Sequence, residues 1–189
     1  MHSERSKKLV DLISRAKAGD ASALDAIYRA YFTPVYRYVF IRVGGRRAEA
    51  EDVTQDAFVK IMKNLHRFED RGKDPLAYFF TVARTTLIDR LRRRRETVFS
   101  EMEAADAPFD VPDERADAPE ILYRGFMVEE AVRAMGSLTD AEREAITLRF
   151  FGELSTVEIA ALMGKSEDAV RQLQSRGLRA LAKKLKHHA

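Results

Sequence analysis

The chain of 189 residues has no cysteine, so it can form neither a disulfide framework nor a thiolate metal site. Its four histidines are scattered, and the adjacent His187 and His188 would point to different sides of a helix, which disfavours a metal site. No apolar run approaches the roughly 18–20 residues of a membrane span. The polar start Met1-His2-Ser3 is unlike a signal peptide. We therefore expect a soluble cytoplasmic protein with no membrane insertion, no metal and no other cofactor.

Motifs of catalysis and of sheet structure are missing as well. The sequence contains no glycine-rich phosphate loop, no nucleophile motif and no metal-ligand cluster, so an enzyme is the least favoured class. No segment alternates between apolar and polar residues over a convincing length, so no sheet is expected. The predicted fold class is all-α, with an N-terminal helical bundle and a C-terminal helix-turn-helix bundle.

Charge is distributed unevenly along the chain. The segment from Glu96 to Asp117 has eight acidic residues and a single basic one, Arg115, and its net charge is −7. The whole chain carries +3, so the flanking parts together carry +10 and are basic enough to meet a polyanion. Because residues 96–119 also contain three prolines and no apolar periodicity, we predict an extended, flexible acidic linker there. Its acidity could serve solubility, or it could imitate nucleic acid in a basic channel of a partner.

Residues 1–95 are predicted to form a helical domain, because apolar side chains recur at spacings of three and four. Asp20 is expected to cap the second helix, Pro34 to interrupt it and Gly44-Gly45 to end it. A third helix is expected from about Arg47 to Phe68, and a fourth from about Leu76 to Arg95.

The fourth predicted helix has aromatic residues near its start and arginines at its end. Aromatic faces can hold unstacked bases, and a cluster of guanidinium groups can hold phosphates. The alternative is an ordinary amphipathic helix with core aromatics and a solvated basic end. Tyr78, Phe79 and Phe80 are consecutive and cannot all face one way, so at least one of them should belong to the core.

Residues 120–189 have the sequence signals of a helix-turn-helix. Thr139 and Ser155 each begin a capping box, Gly164 marks a tight turn, and Ser166 can cap the last helix. That helix is expected to bury Val170, Leu173, Gly177, Leu181 and Leu185. Its opposite face holds residue types that bond base edges and phosphates in the major groove. A plain helical hairpin with a polar outer face is the alternative.

Three segments resemble bacterial sigma factors. Residues 50–60 (AEDVTQDAFVK) resemble their polymerase-binding segment, residues 78–93 their promoter-melting helix, and residues 138–181 their C-terminal helix-turn-helix. Two modules joined by a short linker resemble the small extracytoplasmic-function group, which keeps only the second and fourth sigma regions. The resemblance implies a region 2 domain at 1–95, an acidic linker at 96–119 and a region 4 domain at 120–189.

The resemblance implies a transcription-initiation factor that binds core RNA polymerase, directs it to promoters and promotes DNA opening. Its partners would be core polymerase, promoter DNA as duplex and as non-template single strand, and, by family habit, an anti-sigma factor. The positions that match polymerase contacts are Asp52, Gln55, Asp56 and Phe58. Acidic side chains four residues apart share one helix face and can meet a basic partner. They could instead only compensate the helix dipole.

The resemblance also implies two groups of DNA-binding residues. Those for the downstream element and its melting are Asn64, Phe68, Lys73, Tyr78, Arg84, Arg90, Arg92 and Arg93. Those for the upstream element are Ser166, Arg171, Gln172, Gln174, Ser175, Arg176 and Arg179. The family usually has Trp at the position of Tyr78, and Tyr offers less stacking area. It usually has Asn at the position of Thr85, so that an amide able to contact DNA is missing here.

Two other functions remain open at the level of sequence. A conventional regulator could use the C-terminal helix-turn-helix to bind DNA and the N-terminal half to sense a ligand or bind a partner. It would bind duplex DNA tightly alone, whereas a sigma factor should need core polymerase. An RNA-binding or antitermination protein could use the arginine-rich helix, but the polymerase-binding segment argues against it.

Overall fold

The computed structural model describes residues 2–69, 75–101 and 131–186, and it is helical throughout its regular parts. In the first half, α1 spans His2–Lys17, α2 Ala21–Arg42, α3 Arg47–Asn64 and α4 Pro75–Glu101, with a single 3-10 turn at Leu65–Arg67. In the second half, residues 131–136 are helical, and α5 spans Asp140–Phe150, α6 Thr156–Met163 and α7 Glu167–Lys186. None of these described residues forms a strand, and the predicted all-α class is confirmed. No helix in the described ranges is both long and apolar enough to cross a membrane.

Two helix predictions need correction. Pro34 does not interrupt α2, which continues through it to Arg42. The helix tolerates the lost hydrogen bond because Val35, Tyr38 and Val39 are fully buried on its inner side. The fourth helix does not end near Arg95 but continues to Glu101, because residues 96–101 contain neither proline nor glycine. The rest of the predicted acidic linker lies outside the described residues.

The described residues form two compact units. The first lies within Met1–Val39 and Glu51–Asp106, and the second within Phe40–Ala50 and Ala107–Ala189. This grouping places the turn after α2 with the second unit. The domain boundaries at 95, 96 and 120 stay a prediction.

Aromatic rings dominate the core of the first unit. Phe79 and Phe80 have no exposed surface, and their rings meet those of Tyr31 and Tyr38 edge to face at 5.6 and 5.5 Å. Phe58 of α3 lies 6.3 Å from Phe79 and so joins α3 to α4. The expectation that at least one of the consecutive aromatics is a core residue is confirmed. Apolar residues of every helix complete this core, among them Leu9, Ile13, Ile27, Val53, Ile61, Leu76 and Leu87.

The second unit has the predicted caps. The Thr139 hydroxyl oxygen accepts a hydrogen bond from the backbone amide of Glu142, and the Glu142 carboxylate accepts one from the backbone amide of Thr139. Ser155 and Glu158 form a second capping box of the same kind. Gly164 ends α6 at a φ of 64°. These contacts fix where α5 and α6 begin and where α6 stops. Ser166 caps the start of α7, so α6 and α7 form the predicted helix-turn-helix.

One apolar cluster holds the second unit together. Ile41, Val132, Met135, Leu138 and Ile146 are buried in it, with Phe40, Phe151 and Leu181 packed at its edge. Beside it, Arg42 Nε lies 2.8 Å from Glu144 Oε2, although the two are not aligned as a hydrogen bond. Both side chains are almost fully buried, and Arg42 Nη1 also lies 3.7 Å from Asp140 Oδ1, so removing either partner would weaken a buried ionic contact.

Gly177 leaves room for close packing of α7 on α5. A Cβ atom at this position would overlap with Ile146 Cδ1 and would lie 3.4 Å from Glu142 Cβ. Of the other residues predicted to be buried on α7, Val170 is fully buried, and Leu173 and Leu181 are partly buried. The burial of Leu185 lies outside the described residues.

We predict that Gly177→Ala lowers the free energy of unfolding. Overpacking costs about 1–3 kcal/mol, which exceeds the gain of at most about 1 kcal/mol in helix propensity. Ile146→Val removes Cδ1, the overlapping atom, and alone should cost about 0.5–1.5 kcal/mol. Denaturant unfolding should show that the double variant loses less unfolding free energy than the sum of the losses in the two single variants. Strictly additive losses would contradict the predicted contact.

Asp20 caps α2 and should titrate unusually low. Its Oδ1 accepts hydrogen bonds from the Ser22 amide at 2.9 Å and from Ser22 Oγ at 2.6 Å, and its Oδ2 accepts one from Arg15 Nη2 at 2.7 Å. The bonds from Ser22, and then those from Arg15, lower the pKa of Asp20 from 3.8 to about 2.

We predict that this cap contributes fully to stability above about pH 5 and is lost as the pH falls toward 2. The sign follows because the folded-state pKa lies below the unfolded one. An NMR titration of the Asp20 carboxyl group should have its midpoint near 2. Asp20→Asn is the control and should remove this part of the pH dependence of unfolding. A folded-state midpoint at the ordinary value of 3.8 would exclude the proposed capping contacts.

Candidate nucleic-acid and partner-binding surfaces

The outer face of α3 presents the predicted acidic residues. Asp52, Gln55 and Asp56 are exposed, while Val53 and Ala57 on the opposite side have no exposed surface. This division follows from helical periodicity, since positions 52, 55 and 56 share one face. The surface therefore offers two carboxylates and an amide to a partner.

Phe58 does not belong to that exposed surface. It is only 3% exposed, and its ring lies 5.2 Å from Tyr28, 5.6 Å from Phe32 and 6.3 Å from Phe79. In this conformation Phe58 packs on the buried side of α3. The side chains available to a partner are Asp52, Gln55, Asp56 and the exposed Val59.

An ion pair joins two residues that the sequence placed in different sites. Arg90 Nη2 donates to Asp52 Oδ2 at 3.0 Å, and both side chains remain about half exposed, at 44% and 59%. The acidic face of α3 and the basic stretch in the second half of α4 are therefore adjacent. Sequence spacing could not indicate this pair, because the two residues lie on different helices.

The start of α4 and the end of α3 place several predicted downstream-element residues together. The ring of Phe68 lies 5.7 Å from that of Tyr78 in a tilted arrangement. Tyr78 is half-buried, and burial raises the pKa of its hydroxyl. Asn64 is exposed, and its Nδ2 donates to the Lys60 carbonyl at 2.9 Å. Lys73 lies outside the described residues.

The predicted arginines of α4 differ in their surroundings. Arg90, Arg92 and Arg93 are exposed, whereas Arg84 is half-buried. Arg92 Nη2 lies 3.6 Å from Asp89 Oδ1 on the same helix. The exposed basic run faces solvent beyond the aromatic core, as a surface that holds phosphates must.

Thr85, which stands where the family usually has Asn, is exposed but engaged in its own helix. Its hydroxyl donates to the Thr81 and Val82 carbonyls at 3.0 and 2.9 Å. The hydroxyl proton of Thr85 is therefore used within the helix and is not available to donate to DNA.

The last helix presents the predicted upstream-element residues on its outer side. Ser166 caps α7 by accepting a hydrogen bond from the Ala169 amide at 3.2 Å. Arg179 donates to the Ser175 carbonyl and hydroxyl at 3.2 and 3.3 Å. The exposed members of the set are Ser166, Arg171, Gln172, Ser175, Arg176 and Arg179. Gln174 is half-buried, and its Nε2 is buried without a hydrogen-bond partner among the described residues.

Other contacts at these surfaces were missed by the sequence analysis. Lys17 Nζ donates to the Phe68 carbonyl at 2.8 Å and so ties α1 to the segment before α4. Lys60 Nζ donates to the buried Thr86 hydroxyl at 3.1 Å. No local pattern could have indicated these pairs. Glu167 and Asp168, which contact Arg171, were within reach of sequence reasoning because they lie four and three residues before it.

Two family models match the chain. Residues 27–97 match Sigma-70 region 2, and residues 134–183 match Sigma-70, region 4. The first range contains α3 and most of α4, and the second contains the helix-turn-helix.

Two sigma factors are similar to nearly the whole chain. The ECF RNA polymerase sigma factor BldN of Streptomyces coelicolor is 34% identical over 183 residues, which cover 95% of this chain and 67% of BldN. The ECF RNA polymerase sigma factor SigW of Bacillus subtilis is 27% identical, over 92% of this chain and 95% of SigW.

Solved structures share the fold. The sigma factor RpoE of Bartonella quintana, in complex with the anti-sigma factor NepR, has a TM-score of 0.67 at 20% identity, covering 86% of this chain and 96% of that one. CnrH in complex with the cytosolic domain of CnrY has a TM-score of 0.66 at 19% identity, covering 94% and 97%. The two matched regions in order, together with a relative similar along nearly the whole chain, show that this protein belongs to the extracytoplasmic-function sigma factors, which bind core RNA polymerase and direct it to promoters.

Proposed function

We propose that the acidic face of α3 is the surface by which this sigma factor binds core polymerase. Asp52, Gln55 and Asp56 are exposed together, and their carboxylates suit a basic partner helix. Phe58 contributes from within, because its ring packs between α2 and α4 and holds α3 in place. The observation that carries this proposal is that Asp52, Gln55 and Asp56 are exposed on one face of α3, together with the apolar side chain of Val59, which is 51% exposed.

The start of α4 and the basic stretch in its second half serve the downstream element. Phe68 and Tyr78 form a ring pair next to the exposed Asn64, where an unstacked base could be held. Arg90, Arg92 and Arg93 then hold the backbone of the DNA. Because the hydroxyl of Thr85 is engaged within the helix, base capture depends chiefly on the aromatic pair.

The exposed side of α7 reads the upstream element as duplex. Its N-terminal residues enter the major groove, as in other helix-turn-helix proteins, while the later arginines hold phosphates. Arg171, Ser175 and Arg176 are the proposed contacts, and Gln174 would join them by turning its buried Nε2 outward.

The protein acts through binding and not through catalysis, as sigma factors generally do, and it works in the cytoplasm, where polymerase acts. An anti-sigma factor is a proposed partner, since RpoE and CnrH were both solved with a second protein and RpoE's is an anti-sigma factor.

We expect Asp52→Lys with Asp56→Lys to weaken binding of the full chain to purified core polymerase by at least about tenfold. Close charge pairs at interfaces couple by about 1.5 kcal/mol or more, and the substitutions turn attraction into repulsion. Asp11→Lys with Asp25→Lys is the matched control, since these carboxylates are exposed in the same unit but on α1 and α2. Equal loss in both double variants would mean that only net charge matters, and the proposed surface would be wrong.

We expect Arg92→Ala with Arg93→Ala to weaken holoenzyme complexes at all promoters and to flatten their salt dependence. Each lost phosphate contact should reduce the slope of log K against log salt by about 0.7–0.9, so two should reduce it by about 1.4–1.8. The control is Lys7→Ala with Lys8→Ala, which removes two exposed charges from α1. An unchanged slope would exclude phosphate contacts at these arginines.

A further inference from the structure

The charges of α7 are divided along its length. The first two turns contain Glu167, Asp168 and Arg171, with a net charge of −1. The rest of the helix is purely basic, with a charge of +5 from Arg176, Arg179, Lys183, Lys184 and Lys186. Phosphates should therefore be held mainly by the later part of the helix, where the positive charge is concentrated. The acidic residues of the first turn leave Arg171 better suited to another kind of contact.

The acidic residues of the first turn hold the guanidinium group of Arg171. Its Nη2 donates to Asp168 Oδ1 at 3.0 Å, and its Nη1 to Glu167 Oε2 at 3.4 Å. A helical side chain leans toward the N-terminus, which places the guanidinium over the end of the helix that meets base edges in this motif. Two of the five N–H groups are used, so three remain to donate to a base.

A guanine-cytosine pair has the complementary groups. In the major groove guanine presents the acceptors N7 and O6, and cytosine presents the N4 amino donor. Arg171 supplies donors, and Asp168, whose side chain is 83% exposed, supplies an acceptor beside them.

We propose that Asp168 positions Arg171 and that the two together read one guanine-cytosine pair of the upstream element. Arg171 donates to guanine, while Asp168 holds the guanidinium and accepts from cytosine N4. This inference rests on the proposed role of α7 and adds to it a positioning residue and the base pair that it selects. Asp168 also keeps Arg171 from binding a phosphate, because its charge cancels the attraction.

The test is selection by the complete holoenzyme. Core polymerase with the full chain binds promoter duplexes whose upstream element is randomised, and sequencing of the bound fraction gives the preference at each base pair. The variants are Asp168→Ala, Asp168→Asn and Arg171→Ala, with Lys183→Ala as a control for a lost phosphate contact.

Wild type should favour a guanine-cytosine pair at one position, and Arg171→Ala should flatten that position. Asp168→Ala and Asp168→Asn should reduce the preference at the same position roughly fivefold or more, the equivalent of about 1 kcal/mol. They should also bind scrambled upstream DNA at least as tightly as wild type, because a negative charge has been removed. Lys183→Ala should weaken binding to all sequences equally.

Two outcomes would overturn this inference and leave the proposed role of α7 unaffected. One is an unchanged preference in both Asp168 variants, and the other is a uniform loss across the library, which a merely structural role of Asp168 would cause. If wild type itself selected no upstream sequence, the proposed role of α7 would fail as well, and the two failures are thereby distinguished.

Discussion

The packing of α3 against α4 is the constraint on which the first unit depends. Phe58 and Phe79 join the helices in the core, the Lys60 ammonium bonds to the buried Thr86 hydroxyl, and Asp52 pairs with Arg90 at the surface. The aromatic contact carries most of the stability, since aromatic pairs add about 0.5–1.5 kcal/mol beyond the area that they bury. The exposed ion pair contributes at most about 1 kcal/mol. The proposed polymerase and DNA surfaces are therefore adjacent because of the core below them.

Because the two surfaces are adjacent, the Asp52–Arg90 ion pair links the proposed polymerase-binding residues to the proposed DNA-binding residues. Each residue is proposed to bind a different macromolecule, yet in the free protein they neutralise each other. A weak, solvent-exposed pair is suited to this position, because either partner can be exchanged at small cost. A buried pair would cost several kcal/mol to separate.

In the second unit, the positions of the helices are set by their N-terminal caps and by Gly177, which has no side chain. The boxes at Thr139 and Ser155 set where α5 and α6 begin, and Ser166 sets the start of α7. Gly177 then lets α7 approach Ile146 closely. The orientation of the outer face of α7 follows from these contacts, and so does the place of Arg171 over the first turn.

The sequence by itself determined the helices, their caps and the family, because these depend on interactions between residues at most a few positions apart. Periodicity placed Asp52 and Asp56 on one face of α3, and the Gly164 turn located the helix-turn-helix. The sequence did not predict that Pro34 is tolerated, because packing outweighed local propensity there. The predicted boundary of the acidic linker also hid the continuation of α4 to Glu101, although residues 96–101 contain no proline or glycine. Only the tertiary structure decided that Phe58 is buried, that Asp52 meets Arg90 and that Lys17 holds the Phe68 carbonyl. These pairs join residues far apart in the chain, and their geometry follows from how whole helices pack.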